Sequence, residues 1–189
     1  MDYAKYKGLR DASWRCLIEC ETNALPISLG DICTKYKIGI VNDSAVNVLD
    51  GESGRIVRIG DKTRIIVNDD HTMQRRRFTI AHELGHFLLG HLGSDISFLS
   101  REIIEVKPEE EMQADMFAIR LLSPACVLWG LNLHTAEEIA EYCDISLQAA
   151  SYRAERMAEL YRRNRFLRSP VERTLYKQFE PFIKENTRH

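Results

Sequence analysis

The stretch RRRFTIAHELGHFLLGH, Arg75 to His91, constrains this 189-residue chain more than any other. It sets His82 and His86 four residues apart around Glu83, while Ile80, Leu84 and Leu88 form an apolar stripe away from the histidines. At 3.6 residues per turn both imidazoles project from one helix face, one turn apart, close enough to bind the same cation. Glu83 leans to the side of that face, where its carboxylate reaches a water on the cation rather than the cation itself. In a His-Glu-x-x-His helix two imidazoles hold zinc, and the glutamate takes a proton from the water that the ion activates. Gly85 sits inside the same helix at a cost of about 1 kcal/mol against alanine, which predicts a close approach by a second element.

Catalytic zinc takes three protein ligands and leaves one position open. The third is expected downstream, where Asp95, Glu102, Glu105, Glu109, Glu110, Glu111 and Asp115 are the candidates. Helical periodicity chooses among them. In EEEMQADMFAIRLL, residues Glu111, Asp115, Ala118 and Leu122 share one stripe with Ala114 beside it, and these small residues let the second helix approach the first. Glu111 is therefore the expected ligand, and Asp115 is expected to accept the spare N–H of a ligand histidine and fix its tautomer. Glu109 and Glu110 read as a solvated acidic first turn after Pro108, where carboxylates face unpaired helix N–H groups. His91, five residues past His86, falls about 140° around the helix and reads as a helix-end residue. His71 reads as a loop histidine.

RRRFTIAHELGH followed by EMQADMFAIRLLSP resembles the ImmA/IrrE family of metallopeptidases, zincins whose third ligand is a glutamate; the likeness runs from about Arg75 to Pro124. Family members usually carry Glu-Ala-Asn where this chain has Gln113-Ala114-Asp115, but Glu111-x-x-x-Asp115 fits the broader glutamate-zincin pattern. The resemblance implies zinc-dependent cleavage of a cytoplasmic regulator, often a helix-turn-helix repressor.

The rest of the chain predicts an α+β fold: a zincin-like domain over residues 1–123 with a small antiparallel or mixed sheet, then a helical part over 124–189. Residues 2–22 and SLGDICTKYK read as helices and IGIV as a strand. GRIVRIGDKTRIIVND alternates on both sides of Gly60-Asp61 as a hairpin does. TRIIVND reads equally as an edge strand open to an extended peptide or as an internal strand paired on both sides. Thr135 with Glu138, and Ser169-Pro170 with Glu172, read as capped helix starts.

TAEEIAEYCDISLQAASYRAERM has the outline of a helix-turn-helix. A DNA-reading role would turn Gln148, Ser151, Tyr152 and Arg153 toward bases; a plain structural helix pair is the favoured alternative. The net charge of −2 gives the whole molecule no pull toward nucleic acid or membrane, although residues 153–173 hold seven arginines against three glutamates. Within YRRNRFLR, solvated arginines are the simpler reading and contact with phosphates the other. No signal core or membrane-length apolar run is present, and five scattered cysteines form no CxxC pair. Both observations predict a cytoplasmic protein without a disulfide framework, and Cys16 and Cys20, four apart on one helix, read as small buried hydrophobes rather than ligands.

Overall fold

The computed structural model describes residues 3–91 and 108–187. Its elements run α1 (Tyr3–Glu19), α2 (Leu29–Lys35), β1 (Ile38–Asn42), a short 3₁₀ turn (Asp43–Ala45), β2 (Gly54–Ile59), β3 (Lys62–Val67), α3 (Met73–Leu89), α4 (Pro108–Leu122), α5 (Ala125–Gly130), α6 (Ala136–Cys143), α7 (Leu147–Arg162) and α8 (Pro170–Asn186). Contacts divide the chain into two compact units, residues 29–118 and residues 1–28 with 119–189. The fold is α+β, as the pattern of early strands and late helices predicts.

In the unit of residues 29–118, three strands form one mixed sheet in the order β1-β3-β2. β2 and β3 are the expected antiparallel hairpin, with Ile56 opposite Ile65 and Gly60 turning the chain at a φ of 62°. β1 pairs with the other side of β3 in parallel, Ile40 opposite Ile65. TRIIVND is therefore an internal strand, and the sheet's edges are β1 and β2. Its burial pattern fits: Ile65, Ile66 and Val67 are all buried in succession, the run expected of a strand covered on both faces rather than of a half-exposed edge. Leu49, Val57 and Ile66 form one apolar cluster of this unit.

α3 is held along β2. A Cβ on Gly54 would collide with the Thr79 side chain and stand 2.9 Å from the Ile66 carbonyl oxygen, so only glycine lets the strand come this close. At the start of α3, Arg75 donates to Ser53 Oγ (2.9 Å) and Arg76 to Asn42 Oδ1 (2.9 Å). Two of the three consecutive arginines thus tie the helix to the ends of the strands rather than to solvent.

In the other unit, α1 packs with α8. Gln178 of α8 donates to the carbonyl oxygens of Leu17 (2.9 Å), which also accepts the Thr22 N–H, and of Thr22 (2.6 Å), just past the end of α1. α6 starts with a complete capping box at Thr135 and Glu138, ends on Asp144 at a φ of 50°, and is followed by α7, capped by Ser146. This is the helix–turn–helix outline, but Arg153 is not on its outer face. Its side chain is buried and its guanidinium donates to the Ser123 carbonyl, while Gln148, Ser151 and Tyr152 are exposed. In the arginine-rich stretch, Arg162 and Arg163 pair with Glu159, and the buried Phe166 stacks on Trp129 at 5.3 Å. All five cysteines are free thiols, as their scattered spacing predicts; Cys16 is buried as expected, Cys20 only half-buried, and Cys33, Cys126 and Cys143 are buried. Among the described residues no helix is long and apolar enough to cross a membrane.

Candidate metal centre

The site is built by α3 and by the first half of α4, both within residues 29–118. α3 keeps a regular helical register from its Thr72 cap to Gly90, so His82 and His86 do face the same way. Their Nε2 atoms stand 2.9 Å apart, and the Glu111 carboxylate closes over both, Oε2 3.2 Å from His82 Nε2 and Oε1 3.3 Å from His86 Nε2. Zinc–nitrogen bonds of about 2.0–2.1 Å in a tetrahedron set two nitrogens about 3.3 Å apart. The imidazoles therefore need to part by only a few tenths of an ångström to share an ion.

Among the described residues, His82, His86 and Glu111 are the group whose ligand atoms all lie within 4.8 Å of one another. Two imidazole nitrogens and one carboxylate suit zinc and other first-row divalent cations. Glu109 and Glu110, on the same first turn, are not in that group, while Asp95, Glu102 and Glu105 lie outside the described residues.

Each histidine is oriented from behind. His82 Nδ1 lies 2.8 Å from Asp115 Oδ1, so its Nδ1–H donates to a carboxylate and Nε2 is the nitrogen turned to the cluster. His86 has a different partner, His91, whose Nδ1 stands 3.1 Å from His86 Nδ1 and whose Nε2 stands 3.2 Å from Gln113 Oε1. Helical extrapolation carries His91 away from the site. The helix, however, stops at Gly90, whose φ of 74° turns the next residue back over the last turn. A glycine after the apolar stripe was the available signal.

Glu83 is buried beside the cluster, and its Oε2 accepts the backbone N–H of Ile56 on the edge strand β2 at 2.9 Å. Burial pushes its carboxyl up to about 7, against the His82 charge and the Ile56 hydrogen bond, which both favour the carboxylate. Burial likewise holds His86 down to about 4, with the His82 and His91 charges adding to it, so this imidazole is neutral and its nitrogen available to a cation. At His82 burial acts downward too, but the Asp115 hydrogen bond and the charges of Glu83, Asp115 and Glu111 outweigh it and raise the group. His71 stays in the turn before α3, its backbone N–H 3.4 Å from the Asn68 carbonyl oxygen.

The family model described as Peptidase M78, the IrrE N-terminal-like domain, matches residues 41–155. That span opens at the end of β1, closes within α7 and contains every residue of the cluster and its supports. No curated protein matches the chain.

Proposed function

We propose, from the premise that this chain belongs to the Peptidase M78 family of IrrE N-terminal-like domains, that it is a zinc-dependent endopeptidase whose substrate is a cytoplasmic helix-turn-helix repressor. The observation that carries this reading is the convergence of His82 Nε2, His86 Nε2 and the Glu111 carboxylate beside a buried glutamate. A purely structural zinc site is normally closed by a fourth protein ligand and has no use for Glu83.

His82, His86 and Glu111 would hold the ion, and Asp115 would keep His82 in the tautomer that ligates. Bound zinc lowers the pKa of water and polarises a peptide carbonyl. Glu83 takes the proton of the attacking water and returns it to the leaving amine, so that both proton transfers use one carboxylate. A cation beside Glu83 draws its pKa down from the value set by burial, which favours the basic form at neutral pH.

With β3 internal, the edge offered to an extended substrate would be β2, which packs along α3 and whose Ile56 N–H meets Glu83. An extended substrate adding to β2 would be held by backbone hydrogen bonds without its sequence being read, which leaves the choice of repressor to contacts elsewhere. The likeness to the ImmA/IrrE family supports the repressor as substrate class.

The test is to incubate the zinc-loaded chain with the helix-turn-helix repressor encoded nearest to it and to identify fragments by mass spectrometry. Cleavage at a defined bond by the wild type and not by Glu83→Gln is expected. A repressor cut equally by both proteins would contradict the assignment.

A further inference from the structure

We propose that His91 is a positioning residue for the metal centre: together with Gln113 it holds His86 in the tautomer whose Nε2 lone pair is free for the ion. The inference rests on the reading of His86 as a ligand and adds the device that keeps it in that state.

The device follows from how α3 ends. The His91 N–H donates to the His86 carbonyl oxygen (3.0 Å) and the Gly90 N–H to that of Phe87 (3.3 Å), the paired closure that ends a helix at a left-handed glycine. In this closure the residue two past the helix packs its side chain on the residue four positions before the glycine. That contact is ordinarily apolar; here it joins two imidazoles, His91 on His86, with ring centroids 5.2 Å apart and planes at 71°.

At 3.1 Å, the facing Nδ1 atoms share one proton. Two N–H groups would repel, and two bare nitrogens would leave the mostly buried His86 without a partner on that side. The far end of the chain decides which ring carries the proton. Gln113 presents its Oε1 to His91 Nε2 at 3.2 Å, and a carbonyl oxygen only accepts, so His91 bears its proton on Nε2. A neutral His91 then offers a lone pair at Nδ1, His86 donates its Nδ1–H into it, and His86 Nε2 is left as the acceptor in the 2.9 Å contact with His82 Nε2, beside Glu111, with the lone pair that an ion would take. Reversing the Gln113 amide would reverse every step and put a proton on His86 Nε2, where a ligand cannot have one. α4 thus orients both ligand histidines from one turn of helix, His82 directly through Asp115 and His86 indirectly through Gln113.

The experiment compares the full-length wild type with His91→Phe, His91→Asn and Gln113→Leu. Two readouts apply: zinc affinity against a competing chelator, and the ring-nitrogen NMR shifts of His86 in the metal-free protein, which report its tautomer directly. Phenylalanine keeps the ring and removes the acceptor; asparagine places Oδ1 at the bond position of the lost Nδ1 and restores it. We expect His91→Phe to bind zinc about 10–100-fold more weakly and to lose the Nδ1–H form of His86, with His91→Asn near wild type on both counts. Gln113→Leu should fall between them, since His91 is then free to invert, and it serves if His91→Phe does not fold. Wild-type affinity and tautomer in both His91→Phe and Gln113→Leu would overturn the relay while leaving the metal reading intact, and so would equal losses in His91→Phe and His91→Asn, which would report packing alone. A wild type that binds no zinc would instead bring down the ligand reading and the relay with it.

Discussion

Gly85 of α3 and Ala114 of α4 meet backbone to backbone: a Cβ placed on Gly85 would stand 3.1 Å from Ala114 Cα and 3.2 Å from its carbonyl oxygen. The metal centre spans these same helices, with Gly85 next to His86 and Ala114 next to Asp115. The distance between the two backbones therefore sets the distance between the histidines and Glu111. Phe117 Cδ1 closes the third side at 3.2 Å, so an added side chain has no direction in which to relax cheaply.

Gly85→Leu should accordingly lose stability by roughly 1–3 kcal/mol, the usual cost of overpacking, and should lose zinc affinity as the helices part. Gly85→Ala needs a shift of only a few tenths of an ångström and gains up to about 1 kcal/mol of helix propensity, so its stability should change little while its zinc affinity falls less than that of Gly85→Leu. Thermal unfolding and chelator competition measure the two effects. Unchanged melting and unchanged affinity in Gly85→Leu would mean that this contact does not set the geometry of the site.

Glu111 and Asp115 should separate by role. Glu111 bridges both Nε2 atoms, whereas Asp115 touches only the rear nitrogen of His82. Glu111→Ala is expected to release zinc readily. Asp115→Ala should retain it with about 10–100-fold weaker affinity or activity. A titration in which Asp115→Ala loses zinc and Glu111→Ala binds it normally would reverse the two assignments.

The parts of this site that were legible in the sequence are those set by one helix's own period. His82, Glu83 and His86 are spaced by 3.6-residue geometry, and Glu111 and Asp115 by the same rule one helix later. What stayed hidden depends on where elements stop and on distant pairing. His91 is the helix-end residue that its position predicts, and it is outside the ligand group, but a helical wheel cannot show that the left-handed turn at Gly90 lays its ring on His86. The internal position of β3 depends on β1, whose parallel pairing leaves no mark in the alternation of TRIIVND. The grouping of α1 with α8 rests on contacts such as Gln178 with Leu17, 161 positions apart. The DNA-reading alternative turns Arg153 outward, because a charged residue in a polar helix gives no sign of the buried carbonyl it serves.

Glu83 also predicts a pH effect in the metal-free protein. Its folded value of about 7 lies above the ordinary 4.5, so the fold favours the protonated form. Below about pH 4.5 both folded and unfolded chains hold the proton and the group is neutral in effect. As pH rises toward 7 the unfolded chain releases it first, and the wild type loses stability relative to Glu83→Gln. Above about pH 7 the difference levels off at on the order of 3 kcal/mol. Denaturant unfolding of both proteins between pH 4 and 8 reads this difference. A gap that is constant across that range would mean that Glu83 is not held protonated by burial.

That two histidines of α3 and one glutamate of α4 hold the proposed ion is tested most directly by metal content. Elemental analysis of the purified chain should find about one zinc per molecule. The His82→Ala/His86→Ala protein, folded by circular dichroism, should contain none. Zinc retained at the wild-type level by that variant would contradict the account.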